Sequence, residues 1–193
     1  MLLFHEDSVW DMDLDFLAEV LEVVDSRLSE LESECERCGD PDQFGTFDRT
    51  EHTVGLGFVA AQTYLAAICG DFEVPSWQAF SYGPVHESGE PVARLVNHAA
   101  NYWKHQIRWL PGHLDERQQR TLDGLAAMDI PGDYPLSTAM AMLTGTHFPR
   151  SGPLVPLLTE WRDALIKLAR SEGSGVRCRV RGAQQAHRAD AVS

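Results

Sequence analysis

One polar stripe of the sequence combines residue types that could do chemistry. Residues 92–110, VARLVNHAANYWKHQIRWL, have apolar side chains at three- and four-residue spacing, which predicts an amphipathic helix about 28 Å long. Its other side has no carboxylate and presents Arg94, Asn97, His98, Asn101, Lys104, His105 and Arg108. A solvated helix face is normally built from Glu, Lys, Gln and Arg, which lose little entropy in a helix. The Asn and His residues therefore indicate a role other than solubility.

Three members of this stripe predict a catalytic group. Asn97, Asn101 and His105 follow one another at intervals of four, which places them one above another on a single helix face. An imidazole titrates near neutral pH and can transfer a proton, while amides can position a ribose 2′-hydroxyl. Lys104 and Arg108 could hold the phosphate. RNA cleavage by attack of the 2′-hydroxyl needs these roles and no metal ion.

Further binding residues are predicted near this group, and an alternative interpretation stays open. Arg94 adds a cation on the same helix, and Glu51 with His52 could join from the start of the preceding helix. In the alternative, the Asn side chains form hydrogen bonds between helices, while the Lys and His side chains are solvated.

Cysteine and histidine spacing predicts no metal site. His98 and His105 lie seven residues apart, about 10 Å along a helix, which is too far for one ion bound at about 2 Å from each nitrogen. Cys35 and Cys38 have the spacing of half a zinc site, but they lack a second pair and lie on an apolar seam. No phosphate-binding loop, dinucleotide fingerprint or nucleophile elbow indicates a cofactor.

The positioning elements are predicted to be helices. Apolar periodicity predicts an all-α compact bundle of about six helices, with almost no alternating strand pattern. The predicted helices span residues 12–38, 49–69, 92–110, 114–128, 136–144 and 154–170. Asp48 and Glu51 predict a capping box at the start of the second helix. Residues 70–91 predict an ordered loop fixed by Trp77, Phe80 and Tyr82.

Length and composition predict one helical-bundle domain, residues 1–172, followed by a disordered basic tail, residues 173–193. Four cysteines without a disulfide framework indicate a reducing compartment. The first residues lack the basic segment of a signal peptide before their short apolar run. We also expect no apolar run long enough to cross a membrane. We therefore expect a cytoplasmic protein without a membrane partner.

The net charge of −13 is unevenly distributed. Residues 1–40 contain 13 acidic side chains against Arg27 and Arg37, whereas residues 173–193 have a net charge of +3. The acidic N-terminal region would repel nucleic acid. Any RNA would therefore have to contact the polar stripe or the basic tail.

Around the segment NYWKH, residues 101–105, the sequence resembles the HEPN superfamily of all-α proteins. The motif of that superfamily is an Arg, an adjacent polar residue and a His a few positions later within a long helix. Asn101 and His105 match the polar residue and the His, and Lys104 is the adjacent cation, but no Arg stands at the first position. The resemblance implies a metal-independent ribonuclease of a prokaryotic defence or toxin–antitoxin system, with its site formed across a homodimer, or a non-catalytic relative.

Two functions follow as alternatives. In the first, His105 is the general acid and base, Asn97 and Asn101 position RNA, and Lys104 with Arg108 stabilises phosphate charge. In the second, the chain is a non-enzymatic interaction module that docks a protein partner on its acidic first helix. The acidic residues expected to contact that partner are Asp13, Glu19, Glu22 and Glu30.

Overall fold

Helices dominate the part of the chain that the structure describes. The computed structural model describes residues 2–5, 8–40, 42, 44–106, 109, 113–130 and 132–171. The elements are β1 Leu2–His5, β2 Ser8–Asp11, α1 Met12–Arg37, α2 Thr46–Asp71, α3 Ser76–Ala79, α4 Val92–His105, α5 Glu116–Ala126, α6 Pro135–Thr144 and α7 Leu154–Arg170. The predicted all-α class is confirmed.

Helix α2 lies at the centre of the bundle and contacts α1, α3, α4, α6 and α7. Its sequence is apolar nearly all round, so it can bury side chains against several neighbours at once. Val54, Phe58, Leu65 and Ile68 are fully buried. The layers on either side, α1 and α4, each add one apolar stripe to this core, because each has its buried residues at three- and four-residue spacing.

Helix α2 is also the one described helix that is long and apolar enough to cross a membrane. The expectation that no run has this length is therefore wrong. Half of the apolar window is buried inside the bundle, and core helices of soluble proteins pass the same test. The hydropathy of α2 is explained by its central position.

Two glycines allow α4 to approach its neighbours closely. A Cβ atom on Gly55 of α2 would overlap the indole ring of Trp103, and one on Gly124 of α5 would overlap the imidazole of His98. These aromatic rings of α4 therefore occupy the volume that a side chain would otherwise fill. These helices can approach so closely because Gly55 and Gly124 have no side chain.

Some boundaries differ from those predicted. The hairpin of β1 and β2, paired antiparallel with Leu2 opposite Asp11, was not predicted, because four-residue strands are too short for an alternating pattern. Helix α4 ends at His105, and residues 107, 108 and 110–112 lie outside the described residues, as does the predicted tail. In the 70–91 loop Phe80 is buried and Tyr82 half-buried, but Trp77 is 74% exposed and does not fix the loop to the core.

We expect Gly55→Ala to destabilise the fold, because the added methyl group meets the Trp103 ring and neither helix can move without opening the core. Overpacking of this kind costs about 1–3 kcal/mol in the free energy of unfolding, measurable by urea denaturation. Gly70→Ala is the matched control, since a Cβ atom there has no neighbour within 4 Å. It should leave stability unchanged or raise it by up to about 1 kcal/mol. Equal stability of the two variants would contradict this packing.

Candidate functional sites

Gln62 of α2 binds three polar side chains of α4. Its Nε2 donates to Asn97 Oδ1 at 2.8 Å and to Asn101 Oδ1 at 3.0 Å, and its Oε1 accepts from Lys104 Nζ at 2.6 Å. The two Asn residues thus connect helices, as the alternative interpretation expected of them. The sequence analysis did not identify Gln62, although it is the one side-chain amide in the uncharged stretch from Val54 to Gly70.

Lys104 is held by this network rather than simply solvated. Desolvation lowers the pKa of its ammonium group, which donates to a neutral amide oxygen. Among the described residues, Lys104 has no carboxylate within ion-pair distance. Its positive charge therefore remains available to an anion that reaches this end of α4.

A cavity of about 370 Å³ lies between the end of α4 and the start of α5 and includes two predicted catalytic residues, Asn101 and His105. Its other lining residues are Trp109, Asp115, Arg117, Gln118 and Thr121. Asp115 is occupied as the N-cap of α5, where Oδ1 accepts from the backbone N–H groups of Arg117 and Gln118, both at 2.8 Å. The cavity therefore combines an imidazole, amides and the Arg117 guanidinium, which was not predicted.

Glu51 does not line this cavity and has a structural role. Its buried carboxylate accepts from Leu136 N at 2.7 Å and from Ser137 N and Oγ at 2.8 and 2.7 Å, which caps the N-terminus of α6. The capping box predicted with Asp48 is wrong, because the N-cap of α2 is Gly45, which has left-handed backbone angles and no side-chain cap. Glu51 satisfies orphan N–H groups of another helix instead.

The remaining predicted binding residues do not gather at one place. Arg94 donates to Glu90 Oε2 at 3.1 Å and to Ser81 Oγ at 2.9 Å, which connects α4 to the loop before it. His52 is exposed on α2 and is not among the residues that line the α4–α5 cavity. Arg108 lies outside the described residues.

His98 is half-buried between α4 and α5, and its buried Nδ1 atom has no hydrogen-bond partner among the described residues. Desolvation and, after it, the charge of Arg94 lower the pKa of this imidazole, so the folded protein favours the neutral ring. Its neutral form suits a side chain packed on Gly124. His98 therefore has a packing role against Gly124, whereas His105 lines the cavity.

The cysteines are free thiols in the described part of the chain. Burial raises the pKa of Cys69 to about 11, and burial together with Cys38 raises the pKa of Cys35. Both thiols therefore stay protonated at neutral pH. Within the described ranges, no group of three or more His, Cys, Asp or Glu side chains could hold a metal ion.

A second candidate site is an apolar groove of about 210 Å³ between α1 and α2. It is lined from α1 by Asp13, which the sequence analysis predicted to contact a partner, and by Phe16, Leu17 and Val20, and from α2 by Ala60, Thr63, Tyr64 and Ala67. Phe16 and Val23 lie about two turns apart on the same face of α1 and are 66% and 72% exposed. These are large apolar side chains without cover in the structure.

An acidic stripe runs along α1 beside the exposed Phe16 and Val23. Asp15, Glu19 and Glu22 each precede one residue of the apolar stripe Phe16, Val20 and Val23, and all three carboxylates are exposed. No hydrogen bond or ion pair of these three is recorded among the described residues. On the opposite wall, residues 53–70 of α2 carry no charge at all. The negative charge near the groove therefore comes from α1 and not from α2.

Other acids of α1 are used inside the fold. Asp25 accepts from Ser151 N at 2.6 Å and from Gly152 N at 2.8 Å, just before α7. Glu32 pairs with Arg150, and Glu34 pairs with Arg49 at 2.6 Å. Glu30, predicted to face a partner, pairs with Arg27 at 2.5 Å on the surface. Free acidic charge is thus concentrated in the first half of the helix.

Comparisons of the chain with family models, curated proteins and solved structures gave no match. The resemblance to the HEPN superfamily stays a prediction. The position at which the motif of that superfamily has its Arg is the residue before Asn101. In this chain that residue is Ala100, which is fully buried in the core. No cation is available at that position.

We expect Glu51→Gln to lower the free energy of unfolding. An amide has one acceptor oxygen, so its NH₂ group would face a backbone N–H at the start of α6. Leaving a buried donor unsatisfied costs about 1–3 kcal/mol, measurable by urea denaturation at neutral pH. Glu160→Gln, at an exposed position of α7, removes the same charge and should change stability by less than about 0.5 kcal/mol. A loss no greater than that of this control would argue against the Glu51 cap.

Proposed function

We propose that the protein is a non-enzymatic helical interaction module that binds a basic amphipathic segment of a partner protein in the α1–α2 groove. The observation that carries this proposal is the pairing of two stripes on α1. An apolar stripe, formed by the exposed Phe16 and Val23 with the half-buried Val20 between them, runs beside an exposed acidic stripe, Asp15, Glu19 and Glu22. A helix with apolar residues on one side and Lys or Arg on the adjacent side complements both.

The apolar part of the groove would supply most of the affinity. Large exposed apolar side chains that lie together on a surface indicate an interaction site, whereas isolated ones do not. Phe16 and Val23 lie on the same face of α1, and Phe16 borders a recess that is also lined by Leu17 and Tyr64, both buried. The small side chains Ala60 and Ala67 leave room on the α2 side for the anchors of a partner.

The acidic part would supply specificity. Exposed carboxylates contribute little affinity each, but they select against acidic partners and accelerate association with basic ones. The uncharged wall of α2 means that a bound helix would turn its basic side toward α1. This arrangement would also explain the excess of negative charge near the N-terminus, because solubility alone does not require so many acidic residues there.

The first test is binding of two model helices of about five turns, one of Leu and Lys and one of Leu and Glu in the same pattern, measured by calorimetry. We expect the basic peptide to bind and the acidic one not to bind. Glu19→Lys with Glu22→Lys should weaken binding about tenfold, since exposed charge contacts contribute up to about 1 kcal/mol each. Phe16→Ala should weaken it independently of charge.

The matched control is Glu87→Lys with Glu160→Lys, which changes the net charge equally at exposed positions outside the groove. This variant should bind the basic peptide like the wild type. If both double variants lose affinity equally, the attraction is one of overall charge and the groove is not the site.

A second candidate function is supported by the α4–α5 cavity. There His105 and Asn101 lie with Arg117, a set that could transfer a proton and hold a phosphate. We propose metal-independent RNA cleavage as the activity of this cavity, in a prokaryotic defence or toxin–antitoxin system and in a homodimer, as the HEPN resemblance implies. It ranks second because Gln62 engages Asn97, Asn101 and Lys104 within the protein.

This second function is tested by incubating the protein with single-stranded RNA in EDTA. An active nuclease should cleave under these conditions, and His105→Ala should abolish cleavage while the circular dichroism spectrum stays unchanged. His86→Ala, in the loop before α4, is the control and should retain activity. If His105→Ala still cleaves RNA, the activity belongs to a contaminant. If the wild type does not cleave RNA, the nuclease proposal fails and the binding function is the one that remains.

A further inference from the structure

A third cavity, of about 330 Å³, lies where the start of α2 meets α6 and the loop after it. It shares no lining residue with the α1–α2 groove or the α4–α5 cavity. The rings of Phe47, Tyr134 and Phe148 line it, together with the exposed imidazole of His147. The rings of Phe47 and Tyr134 are 5.5 Å apart and tilted by 60°, so they form two sides of a corner. Aromatic faces are electronegative and attract cations.

The serine and threonine hydroxyl groups in this cavity donate their hydrogen bonds within the fold. Thr50 and Thr138 donate to carbonyl oxygens one helical turn earlier, at 2.8 and 3.1 Å. Ser137 Oγ donates to the Glu51 carboxylate at 2.7 Å. Each of these three hydroxyl oxygens can therefore only accept a further hydrogen bond. A ligand that brings N–H donors fits these three oxygens, whereas a carboxylate or phosphate does not.

Carboxylates surround the same corner. Desolvation and the charges of Asp42, Asp48 and Asp133 raise the pKa of the Tyr134 phenol, and these three side chains are exposed. Tyr134 therefore stays neutral and its ring stays available. Negative charge at the entrance would attract a cation and repel an anion.

One cation already uses an aromatic ring here. The guanidinium of Arg150 lies 5.3 Å from the centroid of Phe148, and its charge is paired with Glu32. Because that charge is neutralised within the fold, Arg150 does not offset the carboxylates at the entrance. Asp42, Asp48 and Asp133 have no such paired cation recorded among the described residues.

We propose that this cavity binds an alkylammonium cation, with its N–H groups directed at the hydroxyl oxygens and its alkyl part against the rings of Phe47 and Tyr134. A water molecule occupies about 30 Å³ of liquid, so the volume admits a chain of several carbon atoms with its ammonium group. The site would recognise a small amine or the side-chain ammonium of a peptide, and it is independent of the α1–α2 groove.

The test is a titration of ¹⁵N-labelled protein with n-butylammonium, followed by amide chemical shifts of the cavity residues. n-Butanol has the same number of heavy atoms without the charge, and butyrate carries the opposite charge. We expect saturable shifts at Thr50 and Ser137 with the ammonium compound, and binding at least about threefold weaker with the alcohol, as one cation–π contact predicts. Butyrate should not bind.

Two variants locate the effect. Tyr134→Leu removes a ring and Asp48→Asn removes an entrance charge, and each should weaken n-butylammonium binding about threefold. Trp77→Leu and Glu87→Gln remove an exposed ring and an exposed charge elsewhere and should bind like the wild type. Asp48→Asn, at an exposed position, keeps the test valid if Tyr134→Leu does not fold. Equal affinity for butanol and butylammonium, or unchanged affinity in Asp48→Asn, would overturn the proposal.

Discussion

The buried carboxylate of Asp11 connects four elements of the fold. It ends β2 and caps α1, where Oδ1 accepts from Leu14 N at 3.1 Å. Its Oδ2 accepts from Tyr64 Oη of α2 at 2.8 Å and from Arg162 Nη1 of α7 at 3.1 Å. Burial and the negative charge of Asp11 raise the pKa of Tyr64, so the phenol remains a donor. Removing one partner of such a group typically costs about 3–5 kcal/mol, because it leaves a buried charge uncompensated.

Two further carboxylates show the same principle at the other end of the chain. Asp25 of α1 accepts backbone N–H groups just before α7, and Glu51 of α2 accepts those at the start of α6. Negative charge at a helix N-terminus is favourable, because the orphan N–H groups carry the positive end of the helix dipole. The two long helices therefore determine where the two C-terminal helices begin. The aromatic cavity depends on this, since Ser137 is positioned by Glu51.

The helices could be predicted because their signal is local. Three- and four-residue apolar spacing located α1, α6 and α7 to within a residue or so, and proline in the first turn located the start of α6. Glu51 could not be assigned in this way. A capping box at Asp48 satisfies every local criterion, yet the N–H groups that Glu51 caps lie 85 and 86 residues further along the chain. Gln62 likewise acts on side chains 35 to 42 residues away.

The polar stripe of α4 shows why a shared helix face is insufficient evidence for a shared site. Spacing correctly aligned Asn97 and Asn101, but it contains no information about what covers that face. In the structure Gln62 covers the two Asn residues and α5 covers His98, whereas His105 lies exposed beside a cavity. The acids of α1 divide in the same way, with Asp25, Glu32 and Glu34 paired within the fold. Interaction with a partner is therefore best sought where exposed charge and exposed apolar area coincide, which is the first half of α1.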